Sequence, residues 1–215
     1  MASSSSAKAP ARTGAYGQHR APTPVDRFGV WLSGVAVRRH AGFEGVRLGD
    51  FGCGFDANLA RTQLSAVSSA LLVDLALADD LKAHPKVTAI EGSLPEVLPT
   101  VEPASLEVVL CLSVLEHLWE PDDALRELRR VAAPGGVVLI NVPSWRGKSA
   151  LELAAFRLGV SPAEEMDDHK RYYDPRDLWP LLVRAGFLPS QIRCHRHKFG
   201  LNTFAVCRVP PQESS

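Results

Sequence analysis

The sequence predicts an α/β fold whose core is a mostly parallel seven-stranded sheet ending in an antiparallel hairpin. Over most of the chain, short apolar runs alternate with segments of helical pattern, which is typical of consecutive strand–helix units in a parallel sheet. The last two runs are separated only by Phe199-Gly200, a spacing that predicts a hairpin. The seven predicted strands are Val46–Phe51, Ala70–Asp74, Val87–Ile90, Glu107–Leu112, Gly136–Val142, Gln191–Lys198 and Leu201–Val209.

The composition is that of an ordinary globular protein. The 215 residues, 46% of them hydrophobic, suffice for one well-buried domain. Lys and Arg together number 24, as do Asp and Glu, so no excess of positive charge indicates a nucleic-acid partner. No apolar run is long enough to span a bilayer. The four cysteines form no CxxC pair and are interpreted as buried thiols in a reducing, cytoplasmic compartment.

The chain divides into four parts by composition. Residues 1–24 are rich in Ser and Pro and contain no acidic residue, which predicts a disordered tail. Residues 25–43 are expected to hold an N-terminal helix, roughly Val25–Ala41. The main domain is expected over 44–209, and a C-terminal tail over 210–215.

Two helices inside the main domain have clear boundaries. The helix Pro175–Ala185 is predicted from an N-cap at Asp174 and from Gly186 after its last turn. The helix Glu120–Val131 is predicted to end before the turn Pro134-Gly135-Gly136, which leads into the next strand.

A glycine-rich segment, Asp50-Phe51-Gly52-Cys53-Gly54, follows the first predicted strand. Gly52 and Gly54 permit a sharp turn and close approach to a ligand. Asp74 ends the second predicted strand about 20 residues later, where a carboxylate can accept hydrogen bonds from the ribose of an adenosine. A plain tight turn and a helix N-cap at Asp74 are the alternatives. These features alone fit a nicotinamide-dependent oxidoreductase as well as other enzymes with an adenosine-containing cofactor.

The stretch from Leu106 to Pro143 separates these classes. An apolar run leads into Ser113-Val114-Leu115-Glu116-His117, then a helix, then Pro134-Gly135-Gly136 before another apolar run. This order and spacing resemble the fourth strand, following helix and fifth strand of class I S-adenosylmethionine-dependent methyltransferases, especially those acting on small molecules, quinones and glycoconjugates. The resemblance covers roughly Val46 to Val209. It implies a Rossmann-like three-layer sandwich, S-adenosylmethionine as cofactor, and methyl transfer.

The resemblance also implies a cofactor site, with two departures from the family pattern. Asp56 stands where the family usually has glycine, and either caps the next helix or crowds the amino-acid end of the cofactor. Ser93 stands where the family often has an acid that bonds the adenine, and Glu91 is the alternative acceptor. The implied cofactor-binding residues are Asp50, Gly52, Cys53, Gly54, Asp74, Leu75, Gly92, Ser93, Leu94, Ser113 and Val114.

The acceptor is expected above the carboxyl ends of the strands, beneath residues 145–173 acting as a lid. Removing a proton from an acceptor near neutral pH suits histidine. His169 in the lid and His117 after the fourth strand are the candidate bases; the alternatives are a surface histidine and a helix-start histidine bonded to the backbone. The resemblance favours a small-molecule or saccharide-linked acceptor and O-methylation.

Two clusters of basic or metal-binding residue types have simpler interpretations. Cys194-His195-Arg196-His197 has a metal-like composition, but successive side chains on a strand face opposite sides, and no metal is expected. Arg38-Arg39-His40 and Arg196-His197-Lys198 are interpreted as solvated faces or as contacts to an anionic acceptor such as a phosphate or uronate.

Two competing functions remain at this point. A nicotinamide-dependent oxidoreductase does not explain the Ser-Val-Leu-Glu-His segment, the Pro-Gly-Gly turn or the terminal hairpin. A non-catalytic methyltransferase-like module is suggested by Asp56 and Ser93, whereas the intact glycine pair and Asp74 argue against it.

Overall fold

The computed structural model describes residues 14–19, 23–94, 96–149 and 170–212. Short 3₁₀ turns connect several of the elements. The helices are α1 (Pro24–His40), α2 (Asn58–Arg61), α3 (Asp79–Lys82), α4 (Pro121–Val131) and α5 (Pro175–Arg184). The strands are β1 (Arg47–Phe51), β2 (Ser69–Asp74), β3 (Val87–Glu91), β4 (Leu106–Leu112), β5 (Ala132–Pro143), β6 (Ile192–His197) and β7 (Asn202–Arg208).

The seven strands form one sheet in the order β3-β2-β1-β4-β5-β7-β6. Strands β1 to β5 are parallel, whereas β7 is antiparallel to both β5 and β6. This confirms the predicted sheet and its terminal hairpin. The strand order reverses between β1 and β4, which is where open α/β sheets place their ligands.

Helices cover both faces of this sheet, so that the fold has three layers. Val109 and Val138 point to the face that packs against α4 and α5. Their neighbours Leu110 and Leu139 point to the opposite face, where Val37 of α1 is also buried. Because central strands are buried on both faces, they read in the sequence as continuous apolar runs.

Helix α1 begins one residue earlier than the sequence predicts, because Thr23 caps it. The Thr23 hydroxyl accepts a hydrogen bond from the Asp26 N–H at 3.2 Å, and the Asp26 carboxylate accepts one from the Thr23 N–H at 2.8 Å. This reciprocal pair is a capping box, with Pro24 in the first turn.

The Pro-Gly-Gly segment lies within β5 rather than before it. Ala132 pairs with Leu106 directly after α4 ends, and Val137 pairs with Val108, so the residues between them form an irregularity in the strand. Gly135 adopts φ +78°, a conformation that suits glycine. The expected turn thus becomes a bulge, because the neighbouring strand continues to pair on either side of it.

The predicted tails and lid fall partly outside the described residues. Residues 1–13, 20–22 and 213–215 lie outside them, as do 150–169 within the lid, including His169. Residues 14–19, predicted to be disordered, instead pack on the main domain, where Ala15 is buried. Among the described helices, none has the length and hydropathy needed to cross a membrane.

Candidate active site

The glycine turn joins the carboxyl ends of β1, β2 and β4. The Gly52 N–H donates to the Val73 carbonyl at 2.7 Å, and Gly52 has φ +76°. A Cβ atom at this position would lie well inside van der Waals contact with Val114, which follows β4. The close approach of β4 therefore requires glycine at position 52, as does its left-handed backbone.

The carboxylate of Asp74 is held against this turn. One oxygen accepts the Gly54 N–H and the other accepts the Leu75 N–H, both at 2.7 Å. Helix α3 begins only at Asp79 and has Ala78 as its N-cap, so the helix-cap alternative for Asp74 is wrong. Its two backbone bonds instead orient the carboxylate at the end of β2.

Asp50 places a second acid beside Asp74. Its residue surface is only 3% exposed. Burial raises the pKa of the Asp50 carboxyl to about 7, and the negative charge of Asp74 adds to the shift. Two neighbouring carboxyl groups, one of them poorly solvated, favour a ligand that brings positive charge to this end of the sheet.

The segment 14–19 covers the glycine turn. The Phe55 N–H donates to the Tyr16 carbonyl at 2.8 Å, and that carbonyl oxygen lies 3.2 Å from where a Cβ of Gly54 would be. Sequence reasoning missed this contact. The only signal for it is the pair Ala15-Tyr16, an apolar and an aromatic residue within a polar tail.

The segment after β3 closes the site on the other side of Asp74. The Gly92 N–H donates to the Asp74 carbonyl at 2.9 Å, and the exposed Ser93 hydroxyl donates to the Leu94 carbonyl at 3.3 Å. The Glu91 carboxylate accepts the Leu77 N–H at 2.8 Å and pairs with Lys82 at 3.3 Å. The same carboxylate that was the alternative acceptor for adenine is therefore already engaged in local structure.

The residue Asp56 does not cap helix α2. The N-cap of α2 is Ala57, in a left-handed conformation and without a side-chain cap. Of the two roles that the sequence left open for Asp56, the helix cap is therefore wrong.

The neighbouring Cys53 thiol contacts the carbonyls of Gly54 and Val73 at 3.5 and 3.6 Å, which places it between β1 and β2.

A polar pair lies where β4 and β5 end. The Ser113 N–H donates to the Asn141 carbonyl at 2.7 Å, and the two side chains are 3.4 Å apart between Asn141 Nδ2 and Ser113 Oγ. Asn141 is fully buried. His117 follows in the short turn Leu115–His117 and is half-buried, so it lies near the ends of these strands.

The turn of the terminal hairpin reaches the same edge of the sheet. The Ser144 hydroxyl donates to the Gly200 carbonyl at 2.8 Å, and the Ser144 N–H donates to the Leu201 carbonyl at 2.9 Å. Burial lowers the pKa of the neighbouring Lys198 ammonium to about 8, and the charge of Glu116 opposes that shift. The sequence alone did not associate Lys198 with the ends of β4 and β5.

The metal-like cluster on β6 has the alternation that the sequence predicts. The rings of His195 and His197 lie 5.6 and 5.5 Å from the Phe204 ring, whereas Cys194 packs in the core on the opposite face. Within the described ranges, no group of three or more His, Cys, Asp or Glu residues could hold a metal ion.

Comparison with known proteins places this arrangement in a family. The sequence pattern described as "methyltransferase domain" matches residues 49–140, which contain the glycine turn, Asp74 and β4. A Neisseria meningitidis protein named ubiquinone biosynthesis O-methyltransferase is 25% identical over 78% of this chain and 74% of its own length. Together these matches support a class I S-adenosylmethionine-dependent methyltransferase.

Two further similarities agree with this assignment. A Mycolicibacterium smegmatis protein described as a "probable S-adenosylmethionine-dependent methyltransferase" is 34% identical over 48% of this chain, which spans only 36% of that relative's length. The fold matches the crystal structure of an S-adenosylmethionine-dependent methyltransferase from Mesorhizobium loti, with a TM-score of 0.57 and 15% identity over 81% of this chain and 96% of that one.

The site of this methyltransferase fits the cofactor of its family. S-adenosylmethionine carries a ribose with two hydroxyls and a positively charged sulfonium. The structure offers Asp74, fixed by two backbone bonds, and the buried Asp50, whose ionised form a nearby cation would favour. All eleven residues that the resemblance implies lie at or just after the carboxyl ends of β1, β2, β3 and β4, which are adjacent in the sheet.

Proposed function

We propose that this methyltransferase transfers a methyl group to a hydroxyl of a small-molecule or saccharide-linked acceptor. The observation that carries the proposal is the convergence of Asp50, Asp74 and the glycine turn at the ends of adjacent strands. The preference for O-methylation is supported by relatives named ubiquinone biosynthesis O-methyltransferase, among them a Ralstonia nicotianae protein 27% identical over 73% of this chain and 69% of its own length.

The chain's own residues hold and orient the methyl donor in this proposal. Asp74 accepts hydrogen bonds from the ribose hydroxyls, and the negative charge of Asp50 favours a cationic ligand. Gly52 and Gly54 let the backbone approach the ligand closely, and Gly92–Leu94 border the adenine. When bound, S-adenosylmethionine supplies an electrophilic methyl group on a positively charged sulfur. Alignment of donor and acceptor is the main catalytic contribution of such a site.

The acceptor lies beyond the ends of β4 and β5; the lid that the sequence predicts over residues 145–173 falls partly outside the described residues. As its hydroxyl oxygen forms the new bond to carbon, the oxygen loses its proton, and S-adenosylhomocysteine leaves. The described candidate for accepting that proton is His117, which follows Ser113 in the chain; His169 of the lid is the second. The exposed Ser113 hydroxyl, which the buried Asn141 amide contacts, supplies a polar group that can orient the acceptor.

The first test is calorimetric titration with S-adenosylhomocysteine and NAD. We expect S-adenosylhomocysteine to bind and NAD not to bind. Asp74→Ala should weaken the binding by about 100-fold or more, because it removes two hydrogen bonds to a charged acceptor. The matched control is Asp79→Ala, an exposed acid at the start of α3 that should leave affinity unchanged. Binding of NAD alone would overturn the proposal.

The second test assigns the base. The protein is incubated with S-adenosylmethionine and a panel of phenolic, quinol and saccharide hydroxyl acceptors. Turnover is measured as the amount of S-adenosylhomocysteine released. With an acceptor in hand, either His117→Gln or His169→Gln should lower kcat about 100-fold or more and leave the affinity for S-adenosylhomocysteine unchanged. If both variants keep the kcat and the pH profile of the parent enzyme, neither histidine is the base.

A further inference from the structure

A cavity of about 380 Å³ lies between α1 and the β6–β7 hairpin. Helix α1 contributes an apolar wall that includes Trp31, Leu32 and Val35. The hairpin contributes its end, including Phe199, which is 82% exposed. The cavity is large enough for a ligand of roughly ten non-hydrogen atoms and offers it apolar contact on one side.

Every ionisable side chain among the described residues that line this cavity is basic or an imidazole. No carboxylate is among them, although the whole chain carries equal numbers of acidic and basic residues, 24 of each. The excess of basic over acidic side chains is therefore local to the described lining of the cavity. The six basic and imidazole side chains are Arg39 and His40 from α1 and His195, Arg196, His197 and Lys198 from the hairpin.

These side chains repel one another's positive charge. Burial, followed by the charges of Lys198, His195 and Arg39, lowers the pKa of the His197 imidazole to about 4. The pKa of His40 is also lowered, first by burial and then by His195. Apart from the charge of Glu116 on Lys198, no carboxylate is among the causes of these shifts, so an anion that binds among the basic groups stabilises this surface.

His197 also has an unused hydrogen-bonding atom. Its Nε2 is buried and has no hydrogen-bond partner in the part of the chain that the structure describes. A neutral imidazole can donate one hydrogen bond, and an anionic oxygen in the cavity would accept it after a small shift of the side chains that cover Nε2. The rings of His40, His195 and His197 all pack on Phe204 at 5.5 to 5.9 Å, which fixes their orientation toward the space beside α1.

The cavity borders the proposed acceptor site. Lys198 lies in the hairpin turn that Ser144 ties to the end of β5, and its ammonium is 3.7 Å from where a Cβ of Gly29 in α1 would be. Glu116, whose charge acts on Lys198, follows β4. Lys198 therefore connects the cavity to the edge of the sheet where the methyl donor is expected.

We propose that this cavity binds the anionic group of the methyl acceptor, so that the acceptor is a small amphipathic molecule with a phosphate or carboxylate and an apolar body. This inference rests on the proposed function, because it assigns the acceptor class of the same site. Arg39, Arg196 and Lys198 bind the anion, while Trp31 and Val35 contact the apolar body.

The test is calorimetric titration of the full chain with phenyl phosphate and benzoate, which separate the two anion types. Benzyl alcohol, which has the apolar body but no charge, and inorganic phosphate, which has the charge but no apolar body, are the controls. We expect at least one aromatic anion to bind, with benzyl alcohol and inorganic phosphate weaker by about tenfold or more. The proposal would be overturned if either control bound as tightly as the aromatic anions. It would also be overturned if neither aromatic anion bound at millimolar concentrations.

Two neighbouring arginines provide matched variants. Arg39→Gln should weaken aromatic-anion binding about tenfold, whereas Arg38→Gln, one residue away on α1 and not part of the lining, should change it less than about twofold. Equal effects would show nonspecific attraction and overturn the proposal. Lys198→Gln is a second variant expected to weaken binding, with circular dichroism as the check that each variant folds.

Titration with S-adenosylhomocysteine separates failure of this inference from failure of the proposed function. If S-adenosylhomocysteine binds the parent, Arg38→Gln and Arg39→Gln alike while no aromatic anion binds, the cavity proposal fails and the proposed function stands. If S-adenosylhomocysteine does not bind the parent chain, the proposed function fails, and with it the assignment of any bound anion as methyl acceptor.

Discussion

Asp50 shows how a single side chain can couple ligand charge to pH. In the folded chain the pKa of its carboxyl is about 7, because burial and Asp74 both disfavour the charged form. A bound sulfonium would favour that charged form instead. Asp50 is therefore neutral in a large fraction of molecules near neutral pH and should lose its proton as a cationic ligand binds.

This coupling predicts that affinity for S-adenosylmethionine rises with pH. At pH 6, with a pKa of about 7, only about one Asp50 in ten is ionised, so affinity should fall by up to about tenfold relative to pH 8. S-adenosylhomocysteine, which has the same amino and carboxyl groups but no sulfonium, should show a weaker dependence. Calorimetry across this range is the measurement. Asp50→Asn should flatten the difference between the two ligands, and a steep difference that persists in this variant would contradict the assignment.

At the scale of elements, two glycines with the same backbone conformation serve different local structures. Gly52 in the β1–α2 turn has φ +76°, and Gly135 in the β5 bulge has φ +78°. A Cβ at Gly135 would meet nothing within 4 Å, whereas one at Gly52 would collide with Val114. The turn is therefore constrained by packing as well as by dihedral angle.

The pair provides a controlled substitution experiment. Gly135→Ala should lower the free energy of unfolding by about 1 to 2 kcal/mol, because it pays only the left-handed backbone cost. Gly52→Ala should cost at least about 1 kcal/mol more, because the added methyl group displaces Val114. Urea denaturation measures both. Equal losses would show that β4 moves aside freely at Val114.

The elements that the sequence predicts well are those whose signal is local. Strands β1 to β4 lie within one residue of their predicted bounds, and burial on both faces makes the central strand β4 an almost continuous apolar run. The bulge at Pro134–Gly136 was not predicted, since proline and glycine indicate a turn equally well when nothing shows that a neighbouring strand keeps pairing. The docking of Tyr16 was also missed: it uses a backbone carbonyl, which every residue has.

The candidate site also has one part with a local sequence signal and another part that depends on tertiary packing. The glycine turn and Asp74 carry a spacing that is visible in the sequence, and the structure brings them together. The cavity combines Arg39 with Lys198, residues far apart in the chain, and only the packing of α1 on the hairpin makes them neighbours. The base remains a prediction, because His169 lies outside the described residues and His117 is placed only by its turn.

At the scale of the whole molecule, the core thiols report on cooperativity. Cys111 lies in β4 and Cys207 in β7, on opposite sides of β5, and both are almost fully buried. Burial raises the pKa of both thiols. Neither can react as a thiolate without exposure to water, so each reports the opening of its own part of the sheet.

We expect Cys111 and Cys207 to be alkylated by iodoacetamide at the same slow rate at pH 8. A shared rate follows if exposing either thiol requires unfolding of the entire sheet. Half-buried Cys194, whose thiol pKa burial raises to about 11, should react faster. Mass spectrometry of the peptides measures the three rates. Much faster labelling of Cys207 than of Cys111 would show that the terminal hairpin opens as a separate unit.

The position of β7 has a consequence for how the chain acquires its shape during synthesis. It is the last described strand along the chain, yet it lies between β5 and β6. While a ribosome is still producing it, β6 has no neighbour in the sheet, and the side of β5 that β7 will cover is bare. Strands β5 and β6 both need β7 to complete their pairing, so the emerging chain exposes an unpaired interior edge on which a chaperone can act before β7 is made.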